Sequence, residues 1–250
     1  MAAVTALLLE TERLGRRFGG LSAVEDVSIG VGRGEIRAVI GPNGAGKTTL
    51  VGMICGRVRP STGRVRFEGR DITAMPAWNR VAAGIVYTFQ VTSIYGSLSV
   101  RDNVALAAQR RLMTSPRAWL RLDEAALSAN VERSLRDLDL HERRDVRAGD
   151  LPYGHQRLLE VAMGLALAPR LLILDEPTQG LAEHEIDNFC ERIRDIAAYA
   201  TVMLIEHNMK VVLRLASRIT VMDRGRVIAD GDPASVEADP DVQRAYLGQR

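Results

Sequence analysis

The sequence predicts an α/β fold: a mostly parallel sheet covered by helices on both faces, with a small antiparallel sheet beside it and a helical insert. Three observations carry this. From residue 155 onward, short apolar runs alternate with stretches of helical length, as in parallel strands joined by crossover helices. Residues 6 to 40, and again 60 to 68, instead hold short strands and turns. Between an apolar run, Ile36 to Ile40, and a helix-compatible segment, Thr49 to Gly56, lies Gly41-Pro42-Asn43-Gly44-Ala45-Gly46-Lys47-Thr48. It reads G-x-x-x-x-G-K-T in the strand–loop–helix setting of a phosphate-binding loop.

In chain order, Leu7, Leu9 and the stretch around Arg13-Leu14 predict a first strand, and Gly19-Gly20 a turn. Val24 to Ile29 alternates imperfectly, with Val27 and Ile29 on one face. Gly30, Gly32 and Gly34 predict a break before the strand of the loop, which only Arg37 interrupts. Pro60-Ser61-Thr62-Gly63 is a turn. Val65 and Phe67 alternate with Arg64, Arg66 and Glu68, as in a half-buried strand. Ser99 to Met113 predicts helix, Ser115-Pro116 is a helix start, and Leu127, Val131, Leu135 and Leu138 recur at helical spacing. Residues 155 to 168 predict a helix ended by Pro169. Strand Leu171–Leu174, helix Glu183–Ala198, strand Val202–Ile205 and helix Lys210–Ala216 follow. Ile219 to Met222 and Arg226 to Ile228 are strands about Asp223-Arg224-Gly225, and Asp239-Pro240 opens a last helix.

Composition bounds the function. The 250 residues suit one large α/β domain, or a core with a smaller insert. A net charge of +2 gives no bulk pull toward nucleic acid or an anionic membrane. Met1 to Glu10 lacks a basic start and cleavage pattern, so no signal peptide is expected. No run reaches the ~18–20 apolar residues that span a bilayer. Cys55 and Cys190 are too few and isolated for a disulfide framework, which fits a reducing cytoplasm. Both fall in predicted helix, where a buried thiol is expected.

The loop's glycines bring backbone N–H groups close to an anion, and the helix N-terminus adds roughly half a positive charge. Asn43, Gly44, Ala45, Gly46, Lys47, Thr48 and Thr49 are therefore the candidate phosphate cradle. Lys47 can reach the β- and γ-phosphates, and the Thr48 hydroxyl can ligate Mg²⁺. Leu171-Leu172-Ile173-Leu174 runs into Asp175-Glu176, which places two carboxylates at a strand's C-terminal edge, where open α/β sheets bind ligands. Asp175 can hold Mg²⁺ and Glu176 can take the proton of an attacking water. His207 follows a second apolar strand and can contact the γ-phosphate. Gln90, after Val86-Tyr87-Thr88-Phe89, can ligate Mg²⁺ through its amide oxygen.

In this order, with Leu151-Pro152-Tyr153-Gly154-His155-Gln156 shortly before Asp175-Glu176, the chain resembles the ATP-binding subunit of ABC transporters over nearly its whole length. The resemblance implies a P-loop NTPase (RecA-like) core with an antiparallel β subdomain and an inserted α-helical subdomain. It implies a single ABC ATP-binding domain over 1–250. Residues 1–98 and 157–250 form the nucleotide-binding core with the β subdomain, and 99–156 the helical subdomain ending in the signature. ATP and Mg²⁺ are the implied cofactors, with Phe18 stacking on adenine and Val24 at the nucleotide. Two such subunits pair head to tail, so Pro152, Tyr153, Gly154 and His155 would contact the partner's ATP. Membrane permease subunits and, indirectly, a substrate-binding protein are the implied partners, at the cytoplasmic face of the inner membrane. Residues 91 to 100 and the helical insert are the expected docking surface.

Two departures stand out. The family's signature usually has Ser second, where this chain has Pro152; and Ala182 stands where the family usually has Asp, sometimes Asn. The chain's own phosphate site therefore reads as complete and the signature it lends as altered, which favours a heterodimer over a homodimer. Gly84-Ile85-Val86-Tyr87-Thr88-Phe89-Gln90, Ile205-Glu206-His207-Asn208-Met209 and the ending Pro240 to Gly248 look like the branch that imports branched-chain amino acids, although Arg is more usual at Tyr87. An export or lipid-transport ATPase is the nearest rival reading. A soluble ABC ATPase without a transporter is a more distant one.

Overall fold

The computed structural model describes residues 7–88, 93–112 and 123–247. The chain opens as an antiparallel hairpin: β1 (Leu7–Phe18) turns at Gly19-Gly20 into β2 (Leu21–Val27). The glycines after Ile29 predicted a break, yet β3 (Gly30–Gly32) pairs with β1, Leu9 opposite Val31. Tertiary pairing around a buried Val31 outweighs the weak strand preference of glycine. β4 (Ile36–Ile40) leads through the glycine loop into α1 (Lys47–Ile54). β5 (Thr62–Phe67) then joins the other edge of β1, followed by β6 (Arg70–Asp71).

The short α2 (Ala77–Ala82) was not legible in the sequence. It carries Arg80, fully buried, whose Nη1 donates to the carbonyls of Met53 and Ile54 at 2.7 Å each. A cation thus closes the C-terminal end of α1, where the helix dipole is negative.

β7 (Ile85–Thr88) enters the main sheet. The insert α3 (Val100–Leu112) and α4 (Glu124–Arg136) precedes α5 (Tyr153–Ala166). Asp123 caps α4 by accepting the Ala126 N–H at 3.0 Å. α5 starts two residues before the predicted position and runs through residue 156 without a break. Met113 and Ser115-Pro116 lie outside the described residues.

The rest alternates: β8 (Leu171–Asp175), α6 (Glu183–Ala197), β9 (Thr201–Ile205), α7 (Met209–Leu215) and β10 (Arg218–Asp223). β11 (Arg226–Gly231), α8 (Pro233–Glu237) and α9 (Pro240–Leu247) complete the chain.

The main sheet runs β11-β10-β4-β9-β8-β7, parallel from β10 to β7, with β11 antiparallel. Strand period explains its two cores. Leu172, Leu174, Val202 and Leu204 face a cluster with Leu159 of α5, Val104 of α3, Leu135 of α4 and Ile193 of α6. Leu171, Ile173, Met203 and Ile205 face Leu50 and Met53 of α1 and the antiparallel sheet's Val65 and Phe67.

Arg37, the one charge in β4, is buried at the meeting of four strands or their flanks. It bonds to Glu35 Oε1 (2.7 Å), Asp230 Oδ1 (2.7 Å), Thr220 Oγ1 (2.8 Å) and the Gly30 carbonyl (2.6 Å). Its polarity is therefore satisfied inside the core. Cys55 and Cys190 are free buried thiols, and burial pushes Cys55 up to about 12. No helix among the described residues is long and apolar enough to cross a membrane.

Candidate active site

β4, β9 and β8 are adjacent and parallel, so their C-terminal ends open on one edge. β4 delivers the glycine loop. Gly46 is the N-cap of α1 at φ 97°, and a Cβ there would meet the Ala23 carbonyl at 2.4 Å; only glycine fits both demands. The loop is braced by Ala45 N–H to the Pro42 carbonyl (3.1 Å) and by Gly225 N–H to the Ala45 carbonyl (3.0 Å). Asn43, Gly44 and Thr48 are exposed. Lys47 is buried, its Nζ donating to the carbonyls of Gly41 (2.6 Å) and Pro42 (3.1 Å). Burial holds its ammonium below the usual range, against the opposing pull of Glu176 and Asp175.

Asp175 ends β8, only 4% exposed. The Tyr87 hydroxyl donates to its Oδ2 at 2.6 Å. Burial pushes the carboxyl up, and the Tyr87 hydrogen bond pulls it down. Glu176 follows in the left-handed region at φ 46°. Its N–H donates to the Ile205 carbonyl at 2.8 Å. This turn brings Glu176 Oε1 within 3.9 Å of His207 Nδ1 at the end of β9.

Glu206, to which sequence reasoning gave no role, ties the two strand ends together. Its buried Oε1 accepts the N–H (3.1 Å) and hydroxyl (2.6 Å) of Thr178, and its Oε2 accepts the N–H groups of His207 (3.1 Å) and Asn208 (3.3 Å). The available signal was an acid directly after an apolar strand, the same signal that marked Asp175. Glu206→Ala leaves the buried Thr178 N–H and hydroxyl without an acceptor, which costs about 3 kcal/mol. In a chain of this size the melting temperature falls by roughly 6–12 °C. Thermal unfolding followed by circular dichroism checks this.

The six-residue segment before β8 opens α5. Pro152 is its N-cap, at φ −53° and ψ 150°, and provides no side-chain cap. The first N–H groups of a helix lack intrahelical acceptors and can meet an anion. A Cβ at Gly154 would lie 2.3 Å from Glu185 Oε1. Glu185 Oε2 in turn accepts the Ala182 N–H at 2.9 Å. Ala182 has no side-chain oxygen to return the bond, so only half of a capping box forms. The Tyr153 ring lies against Gly180, 3.0 Å from a Cβ placed there. Burial, then Arg143, holds His155 below the usual range, with Glu185 opposing.

Phe18 is 45% exposed at the end of β1, with the Arg16 guanidinium 4.5 Å over its ring. Val24 is buried, its Cγ2 3.3 Å from a Cβ placed at Gly46, so it props the loop from beneath. Gln90 lies outside the described residues, as do residues 91 and 92 of the expected docking surface. Just beyond, the Ser93 N–H donates to Glu160 Oε1 of α5 at 2.6 Å.

The family model described as ABC transporter matches residues 24–179. The chain belongs to the ABC transporter family. A second model, described as branched-chain amino acid ATP-binding cassette transporter, matches residues 226–250. The cassette is 36% identical to the high-affinity branched-chain amino acid transport ATP-binding protein BraF of Pseudomonas aeruginosa, over 97% of this chain and 98% of that one. It is 35% identical to the lipopolysaccharide export system ATP-binding protein LptB of Acidithiobacillus ferridurans, again over 97% and 98%. Among solved structures, the ADP conformation of an ATP-binding cassette of an ABC transporter superposes with a TM-score of 0.86 at 30% identity. That match covers 97% of this cassette and 99% of the other chain.

Proposed function

We propose that this cassette is the ATP-hydrolysing subunit of an importer for branched-chain or related amino acids, docked under permease subunits at the cytoplasmic membrane face. The observation that carries the ATPase reading is the convergence of three strand ends, which supplies Lys47, Asp175, Glu176 and His207 to one edge of one sheet. The match at residues 226–250 and the likeness to BraF support the substrate class.

In this reading Lys47 and the N–H groups from Asn43 to Thr49 hold the phosphates, and Phe18 stacks on adenine. Thr48, Gln90 and Asp175 offer hard oxygen donors that would hold Mg²⁺, and the ion would supply electrostatic stabilisation of the phosphate charge. Glu176 takes the proton of the attacking water, and His207 contacts the γ-phosphate. Pro152, Tyr153, Gly154 and His155 meet the ATP of a second, different ATP-binding subunit. Residues 99–156 form the helical unit that carries them. ATP then bridges the two subunits and its hydrolysis removes the bridge, which biases a two-state assembly.

The likeness to LptB favours a second reading, export of a lipid. ATP hydrolysis by the permease-assembled complex in proteoliposomes separates the two. The importer reading expects stimulation by a binding protein loaded with leucine, isoleucine or valine. Stimulation by lipopolysaccharide, with no response to amino acids, overturns it.

A further inference from the structure

Tyr87 has no part in the proposed chemistry, yet it touches the carboxylate on which that chemistry depends. β7 and β8 are parallel, with Tyr87 opposite Ile173. Side chains two apart on a strand share a face, so Ile173 and Asp175 point the same way, toward α1. The Tyr87 ring lies on that face, and its hydroxyl reaches Asp175 Oδ2 at 2.6 Å. On the α1 side the Arg57 guanidinium lies 5.1 Å from the ring centroid, within cation–π range. The ring is thus held by Arg57 and the core, and the hydroxyl holds the carboxylate.

We infer that Tyr87 is a positioning residue for the metal end of the site: by donating to Asp175 Oδ2 it fixes the carboxylate's rotation and leaves the other oxygen for the cation or its water. The inference rests on the reading of Asp175 as a Mg²⁺-holding group. Partners of this kind orient a ligating carboxylate, and losing one typically weakens metal binding about 10- to 100-fold. Because tyrosine is a neutral donor, it orients the carboxylate without bringing a positive charge to it.

The test is a Mn²⁺ titration of the protein, held in excess over a non-hydrolysable ATP analogue, with free ion counted by electron paramagnetic resonance. Tyr87→Phe keeps the ring and its contact with Arg57 and removes only the hydroxyl. Its Mn²⁺ half-saturation should rise about tenfold, while analogue affinity in EDTA stays at the wild-type value. Asp175→Asn should weaken Mn²⁺ at least as much. Wild-type Mn²⁺ binding by Tyr87→Phe beside a weakened Asp175→Asn overturns the inference and leaves Asp175 in place. Wild-type binding by both variants overturns the reading of Asp175 and the inference with it. Equal loss of analogue affinity with and without metal in Tyr87→Phe makes Tyr87 a packing residue and also overturns the inference.

Discussion

Replacing Glu176 by Gln abolishes ATP turnover and leaves ATP bound. Gln has the shape of Glu and cannot accept a proton at neutral pH. The side chain stands at the end of β8, 3.9 Å from His207, and its backbone is held by the bond to the Ile205 carbonyl, so the variant keeps its position. Loss of a positioned base lowers turnover by about 10²- to 10⁴-fold. Lys47 and the loop N–H groups are untouched, so nucleotide affinity persists. Steady-state phosphate release by the permease-assembled complex and equilibrium binding of ATP check the two halves. Unchanged hydrolysis in Glu176→Gln would remove Glu176 from the mechanism.

Lys47→Ala has the opposite signature: ATP affinity falls, and the nucleotide-free protein stays folded. The ammonium is buried against the carbonyls of Gly41 and Pro42, and burial works against its charge. Its removal relieves that burial but leaves the Gly41 and Pro42 carbonyls without this donor, a loss of about 1–3 kcal/mol that leaves the empty protein folded. A charge-assisted bond to phosphate contributes about 1.5–3 kcal/mol, so affinity falls roughly 10- to 100-fold. At an ATP concentration about 100 times the wild-type Kd, ATP stabilises the wild type by about 2.7 kcal/mol; a 100-fold weaker variant gains only about 0.4 kcal/mol. Thermal unfolding with and without ATP reads this directly. A wild-type ATP shift in Lys47→Ala would show that the loop holds phosphate without its lysine.

The parts of the site that sequence reasoning reached are those encoded locally. The loop from Gly41 to Thr48 announces itself because its glycines, lysine and threonine are contiguous, and Asp175-Glu176 because an apolar strand ends in acids. The parts it missed are contacts between distant residues. Tyr87 and Asp175 lie 88 positions apart, and only the parallel register of β7 on β8 joins them. Glu206 stands beside His207 in sequence, but its bonds to Thr178 cross from β9 to the turn after β8. Gly154 was legible as a glycine; the carboxylate of Glu185 that excludes a larger side chain was not. In the fold, the two sheets and the helical insert followed from period and turn chemistry. β3 did not, because its glycines carry a local breaking signal that pairing with β1 overrides. α2 did not, because six residues without a regular apolar face give no helical period.

In the proposed assembly, ATP held by this chain's phosphate loop is completed by another subunit's signature. Light scattering of the Glu176→Gln protein in Mg²⁺-ATP reads out that pairing. Alone, the chain should remain an ATP-bound monomer, because Pro152 brings neither hydroxyl nor N–H to the signature, and it should form a nucleotide-dependent 1:1 pair once a second ATP-binding subunit is added. A stable ATP-dependent pair of this chain with itself would contradict the choice of a different partner. Monomers under every condition, with ATP bound, would contradict the bridging claim itself.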